Sequence, residues 1–91
     1  MKFCLEVGEV EKHLLEFDFD QLLGQLVIKV NKKEVKRDVR LFNEPVKEIH
    51  TLKVGDNEQV MVRIEKERKM LFGQKCCVFL NDRLFKYYEG V

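Results

Sequence analysis

The sequence predicts an all-β fold, a single antiparallel β-sandwich (or flattened barrel) of about eight strands. Three observations carry this prediction. Apolar and polar residues alternate over most of the chain, and this period of two is typical of half-buried strands. Turn-forming residues recur roughly every 8–15 residues, as in small antiparallel sandwiches. One hairpin formula also occurs twice, at residues 28–36 and again at 78–86.

The first four strands are predicted over residues 2–7, 11–19, 25–30 and 33–41. Each carries apolar residues at alternate positions, many of them β-branched or aromatic, as in Phe3, Leu5 and Val7. Turn signals separate these strands at Gly8-Glu9, Leu23-Gly24 and Asn31-Lys32.

The second four strands are predicted over residues 46–54, 58–66, 70–80 and 83–88. Their turn signals are Asn43-Glu44-Pro45, Gly55-Asp56-Asn57, Glu67 to Lys69, and Asn81-Asp82. A helix over residues 59–72 is the alternative, because Val60 and Ile64 lie four residues apart. Glu67 and Arg68 interrupt that apolar stripe, so the strand assignment is favoured.

The repeated formula is that of a β-hairpin, because asparagine tolerates the left-handed backbone of a tight turn. With Asn31-Lys32 and Asn81-Asp82 as loops, Lys29 pairs with Glu34 and Phe79 with Leu84. The same register pairs Ile28 with Val35 and Val78 with Phe85. These last four residues are predicted to point into the core.

Length and composition predict one soluble domain, residues 1–91. Hydrophobic residues make up 45% and charged residues 36% of the chain, which is typical of a folded domain. The 17 basic and 16 acidic residues leave a net charge of +1, so nothing draws the whole molecule to nucleic acid or to acidic membranes.

Cysteine usage and apolar run length predict a cytoplasmic protein. The three cysteines include no Cys-x-x-Cys pair, which favours free thiols in a reducing compartment. The apolar runs are too short to span a bilayer, so no membrane association is expected.

From His13 to Glu89, the order of motifs resembles the amino-terminal half of the Fas apoptotic inhibitory molecule family. The matching stretches are HLLEF at 13–17, the two hairpins, LKVG at 52–55 and KYYE at 86–89. The chain departs from the family in having no tryptophan and, at 91 residues, no room for a second domain.

The resemblance implies an antiparallel, sandwich-like domain that is not an enzyme. It also implies a role in cell survival. The family is further associated with limiting protein aggregation. No catalytic residue or cofactor is carried over by it. The expected function is therefore a protein-interaction domain, with a small nucleic-acid-binding β-barrel as the alternative.

Residue chemistry adds no catalytic or metal site. His13 and His50 do not have zinc-ligand spacing with the cysteines, so no metal is expected. A thiol enzyme would need a base beside Cys77, where only Lys75 lies on the same strand face. Nucleic acid is not favoured as a partner, because the basic clusters fit a charged hairpin tip or edge strand.

The two hairpins differ on the face that points away from the core, and this difference marks a candidate interaction site. The outward pair is Lys29 and Glu34 in the first hairpin and Phe79 and Leu84 in the second, with Cys77 two residues from Phe79. An outward apolar pair is either covered by the chain's own residues 70–72 or marks an interface. The simplest partner for an interface is a second copy of the chain in a homodimer.

Overall fold

Eight β-strands and no helix make up the part of the chain that the structure, a computed structural model, describes: residues 1–40, 45–70 and 72–90. The strands are β1 (Lys2–Val7), β2 (His13–Asp20), β3 (Gln25–Val30), β4 (Lys33–Val39), β5 (Lys47–Val54), β6 (Val60–Arg68), β7 (Gln74–Leu80) and β8 (Arg83–Gly90). The predicted fold class and strand number are confirmed, and a strand occupies the segment where a helix was the alternative. The predicted fourth strand end at Leu41, the turn residues Asn43 and Glu44, and Leu71 of the predicted seventh strand lie outside the described residues.

The strands form two antiparallel sheets, each in the order of the chain. β1 to β4 make the first sheet and β5 to β8 the second. Alternate residues of β1, β2, β6 and β7 point inward, as the burial of every second residue in β1 illustrates. The two inner faces share one apolar core, formed by Phe3, Leu5, Val7, Leu15, Phe17, Phe19, Leu26, Ile28, Val54, Val60, Val62, Ile64, Cys76 and Val78.

The two sheets are built alike, and the turns that follow β1 and β5 show it most clearly. These turns read VGEVE at 7–11 and VGDNE at 54–58. The φ angle is 103° at both Gly8 and Gly55. The Glu58 carboxylate accepts bonds from the amides of residues 9, 10 and 11 at 2.8–3.1 Å. In return, the Glu11 carboxylate accepts bonds from the amides of residues 56 and 57 at 2.6 and 2.9 Å.

This exchange of glutamates ties the two sheets together at one end of the sandwich. Backbone amides stabilise the charged form of the Glu11 carboxylate, and the Asp56 amide contributes most. The pKa of Glu11 therefore falls to about 2. The pKa of Glu58 is lowered for the same reason, with the Glu11 amide as the largest contributor. Each half of the molecule therefore closes a turn of the other half.

Both hairpins turn through two residues of positive φ, as type I′ turns require. The φ angles are 53° and 69° at Asn31 and Lys32, and 51° and 66° at Asn81 and Asp82. The Asn31 side chain accepts a bond from the amide of Leu14 at 2.9 Å, and the Asn81 side chain accepts one from the amide of Met61 at 2.9 Å. Each asparagine thus anchors its hairpin to the neighbouring strand.

The predicted inner pairs of the hairpins are wrong by one residue. The outer pairs Lys29–Glu34 and Phe79–Leu84 are confirmed, but Ile28 pairs with Lys36 and Val78 with Lys86. The cause is a β-bulge in each hairpin, in which Val35 and Phe85 are the additional residues. Ile28 and Val78 are buried as predicted, whereas Val35 is 51% and Phe85 45% exposed.

Candidate protein-interaction site

The candidate site lies on the outer face of the second sheet, on strands β7 and β8. Phe79 stands opposite Leu84, and Cys77 stands opposite Tyr87. Leu84 is 60% and Tyr87 51% exposed, while Phe79 and Cys77 are half-buried. The structure thus brings together the three residues that the sequence singled out and adds Tyr87, which follows the bulge.

Arg63 of β6 covers part of the Phe79 ring. The guanidinium carbon lies 4.3 Å from the ring centroid, in a cation–π arrangement. Glu65, at 3.0 Å, and Asp82 hold the guanidinium in this position, and the bond to Asp82 is the main reason why the pKa of Arg63 is raised. Leu84, which stands opposite Phe79 on β8, is left open to solvent.

The alternative to an interface, cover by residues 70–72, is not seen among the described residues of that segment. Met70 is 97% and Phe72 51% exposed. Phe72 and Leu22 line a cleft at the opposite end of the sandwich from the β7–β8 turn. Leu71 lies outside the described residues.

An ion pair occupies the outer face of the first hairpin. The Arg37 guanidinium donates three hydrogen bonds to the Glu34 carboxylate, at 2.7–3.2 Å. This pairing lowers the pKa of Glu34 and raises the pKa of Arg37. Leu84 and Tyr87 occupy the corresponding positions of the second hairpin, so the same backbone presents an ion pair in one half and apolar side chains in the other.

Leu84 also borders a cleft between β8 and the turn after β1. The cleft has a volume of about 660 Å³, and its apolar lining comes from Val60, Leu80, Leu84 and Phe85. The bulge that displaces Phe85 from the core places its ring at this cleft. The apolar surface of the candidate site therefore continues around the edge of the second sheet.

The cysteines and histidines do not assemble into a reactive site. Cys4, Cys76 and Cys77 are free thiols in the structure. Burial raises the pKa of Cys76 to about 12, which keeps it a neutral thiol. His13 contacts Glu11 at 2.7 Å, and among the described residues no three histidine, cysteine or acidic side chains are placed to hold a metal ion.

A second group of exposed apolar residues was missed by the sequence analysis. It lies on the β2–β3 and β6–β7 turns and consists of Leu22, Leu23, Met70 and Phe72, of which Leu22 is 84% exposed. The two turns contact each other through a bond from the Gly73 amide to the Gln21 side chain at 2.9 Å. The similar sequences QLLG at 21–24 and MLFG at 70–73 were the signal for this pairing.

Comparison of the chain with protein-family models, curated proteins and solved structures finds no match. Within the described ranges, no helix has the length and apolar character needed to cross a membrane.

Proposed function

We propose that the chain is a non-enzymatic protein-interaction domain whose contact site is the outer face of β7 and β8. The site consists of Cys77, Phe79, Leu84 and Tyr87, and the simplest partner is a second copy of the chain. The single observation that carries this proposal is the difference between the two hairpins. Where the backbone is the same, the first hairpin carries a charged outer pair and the second an apolar one, of which Leu84 is 60% exposed.

The charges around the site suit contact with an identical surface. Lys47 lies 3.9 Å from Glu65, and Lys75 lies 3.5 Å from Glu67, all on the outer face of the second sheet. A two-fold dimer places each residue of such a face against residues of the same face. A surface with both signs of charge around an apolar centre can complement itself in this way.

The resemblance to the Fas apoptotic inhibitory molecule family supports the same class of function. It suggests a domain that acts in cell survival or protein quality control by binding protein, while the cysteine usage suggests a cytoplasmic location. Fold alone does not define such a role, so the proposal depends on the surface and not on the architecture.

The nucleic-acid alternative has less support from the side-chain contacts. Binding of single strands needs a basic groove with exposed aromatic rings. In the first hairpin, Arg37 is paired with Glu34, and Lys36 contacts His50 at 2.6 Å. Two of its basic groups are therefore already bound within the protein.

Exchanging the apolar pair for the charged pair of the first hairpin tests the proposal. We expect the double variant Phe79→Lys with Leu84→Glu to fold normally and to lose self-association, because it removes the apolar centre of the contact. Sedimentation velocity over a range of protein concentrations measures the association. Circular dichroism and thermal unfolding establish whether the fold is retained.

A matched control is the variant Lys29→Gln with Glu34→Gln, which changes the equivalent outer pair of the first hairpin. It should associate like the wild type. Equal loss of association in both variants, or a wild type that stays monomeric at the highest concentration, would contradict the proposed contact site.

A further inference from the structure

The two sheets meet along two edges, and the similar build of the halves makes these edges equivalent. β1 lies against β8 along one edge, and β4 lies against β5 along the other. Phe3 in β1 corresponds to His50 in β5, because each is four residues before the valine that precedes a turn glycine. At the first edge, stacked aromatic rings fill the space between the strands. The ring centroid of Phe3 lies 3.9 Å from that of Tyr88 and 4.8 Å from that of Phe17.

The second edge is closed by polar contacts on His50, which is only 4% exposed. Its Nδ1 atom lies 2.6 Å from Nζ of Lys36 in β4, and its Nε2 atom lies 3.2 Å from a carboxylate oxygen of Glu48 in β5. A lysine ammonium can only donate, so Nδ1 must accept and Nε2–H must donate to Glu48. This arrangement requires a neutral imidazole.

Further cations surround this edge. The Nζ atom of Lys66 in β6 is buried and lies 4.0 Å from Glu48. It donates a bond to the Gln74 side chain at 3.2 Å and lies 4.0 Å from the centroid of the Phe19 ring of β2. Arg40, which follows β4, lies 3.6 Å from the other Glu48 oxygen. Glu48 thus faces Lys66, Arg40 and His50, while Lys36 and Lys66 both oppose an added positive charge on His50.

We infer that the contact between Lys36 and His50 is a proton-operated latch that holds β4 against β5. When Nδ1 takes up a proton it loses its lone pair and becomes a donor, so it can no longer accept the bond from Lys36. Two positive groups would then face each other across 2.6 Å, and the Lys36 side chain must leave. The β4–β5 edge opens on acidification, while the aromatic β1–β8 edge has no such group and stays closed.

The direction of the pH dependence follows from the surroundings of His50. In the folded protein the pKa of His50 lies below its ordinary value of 6.5. Burial is the largest cause and the charge of Lys36 the second, although Glu48 acts in the opposite sense. The unfolded or opened state therefore binds the proton more readily. The latch is fully closed above about pH 6.5 and weakens as the pH falls below that value.

Amide hydrogen exchange at about pH 7.5 and about pH 5 tests the latch, because these values lie on either side of the ordinary histidine pKa. After correction for the intrinsic effect of pH, exchange in β4 and β5 should rise severalfold relative to β1 and β8, and by no more than about 30-fold, the limit that one proton with an ordinary pKa of 6.5 sets at pH 5. Comparison of strands within one sample removes any change in global stability. Equal protection of the two edges at both pH values would overturn the proposal.

Two variants assign the effect to the latch. His50→Phe places at the second edge the residue found at the first, and it should abolish the selective acid opening. Lys36→Met should raise the pKa of His50 in an NMR titration, because it removes a charge that opposes protonation. His13→Gln is the control and should retain the selective opening. Acid opening of β4 and β5 that persists in His50→Phe would show that another group is responsible.

Discussion

Replacing Phe17 with alanine is expected to lower the free energy of unfolding by about 3–5 kcal/mol. Phe17 is fully buried between the two sheets, and its ring stacks on Phe3. Truncation leaves a cavity that the surrounding strands cannot fill, and this cost adds to the lost apolar transfer energy. Because small domains are stable by only about 5–15 kcal/mol, much of the total stability is expected to disappear. The midpoint of unfolding in urea measures this loss.

Phe85→Ala is the matched control, since it removes the same side chain from the bulge of the second hairpin. Phe85 is 45% exposed, so its loss should cost only about 1 kcal/mol. The pair of variants discriminates between the observed register and the one that the sequence predicted. A loss at Phe85 as large as that at Phe17 would mean that Phe85 is a core residue and that the bulge is absent.

The turn glycines Gly8 and Gly55 are expected to tolerate no side chain. A Cβ atom at Gly8 would lie 2.1 Å from the carbonyl oxygen of Glu11, and one at Gly55 would lie 2.1 Å from that of Glu58. The φ angle of 103° at both positions is also rarely adopted by residues with a side chain. Alanine at either position must therefore distort a turn whose amides bind the glutamate of the other half.

We expect Gly8→Ala and Gly55→Ala each to cost at least about 2 kcal/mol in urea unfolding, since the clash adds to the backbone strain. Gly90→Ala is the control, because a Cβ atom there meets nothing within 4 Å. That variant should change stability by less than about 0.5 kcal/mol. Similar stability of all three variants would show that the turns adjust without loss.

The strands were predictable from the sequence because the period of two is a local property. The β-bulges were not, because an inserted residue changes the parity of a strand without leaving a distinctive residue type. Val35 and Phe85 are apolar and fall on the core parity counted from the turn, yet the bulge turns both toward solvent. The outer pairs next to the turns were predicted correctly because the bulges begin beyond them.

The similarity of the two halves was only partly visible in the sequence. The hairpins β3–β4 and β7–β8 align at a spacing of 50 residues, whereas the glycine turns Gly8 and Gly55 align at a spacing of 47. A change of spacing within the repeat hides it from a comparison at one fixed offset. The exchange of Glu11 and Glu58 between turns required the three-dimensional arrangement, because these residues are far apart in the chain.

The outward position of Leu84 was predictable, but the surroundings of the candidate site were not. Arg63 reaches Phe79 from a neighbouring strand, and Tyr87 joins the site only because of the bulge. The burial of Lys66 was also missed. It continues the core parity of Val62 and Ile64, but a lysine in a strand is ordinarily assigned to the surface.

The central claim is that the outer face of β7 and β8 is the contact site between copies of the chain. An NMR dilution series of the wild-type protein tests this most directly, because it reports every residue without any substitution. On concentration, the resonances of Cys77, Phe79, Leu84 and Tyr87 should shift together along one binding curve, while those of Lys29 and Glu34 stay constant. Shifts confined to other surfaces, or resonances that do not change with concentration, would contradict the account.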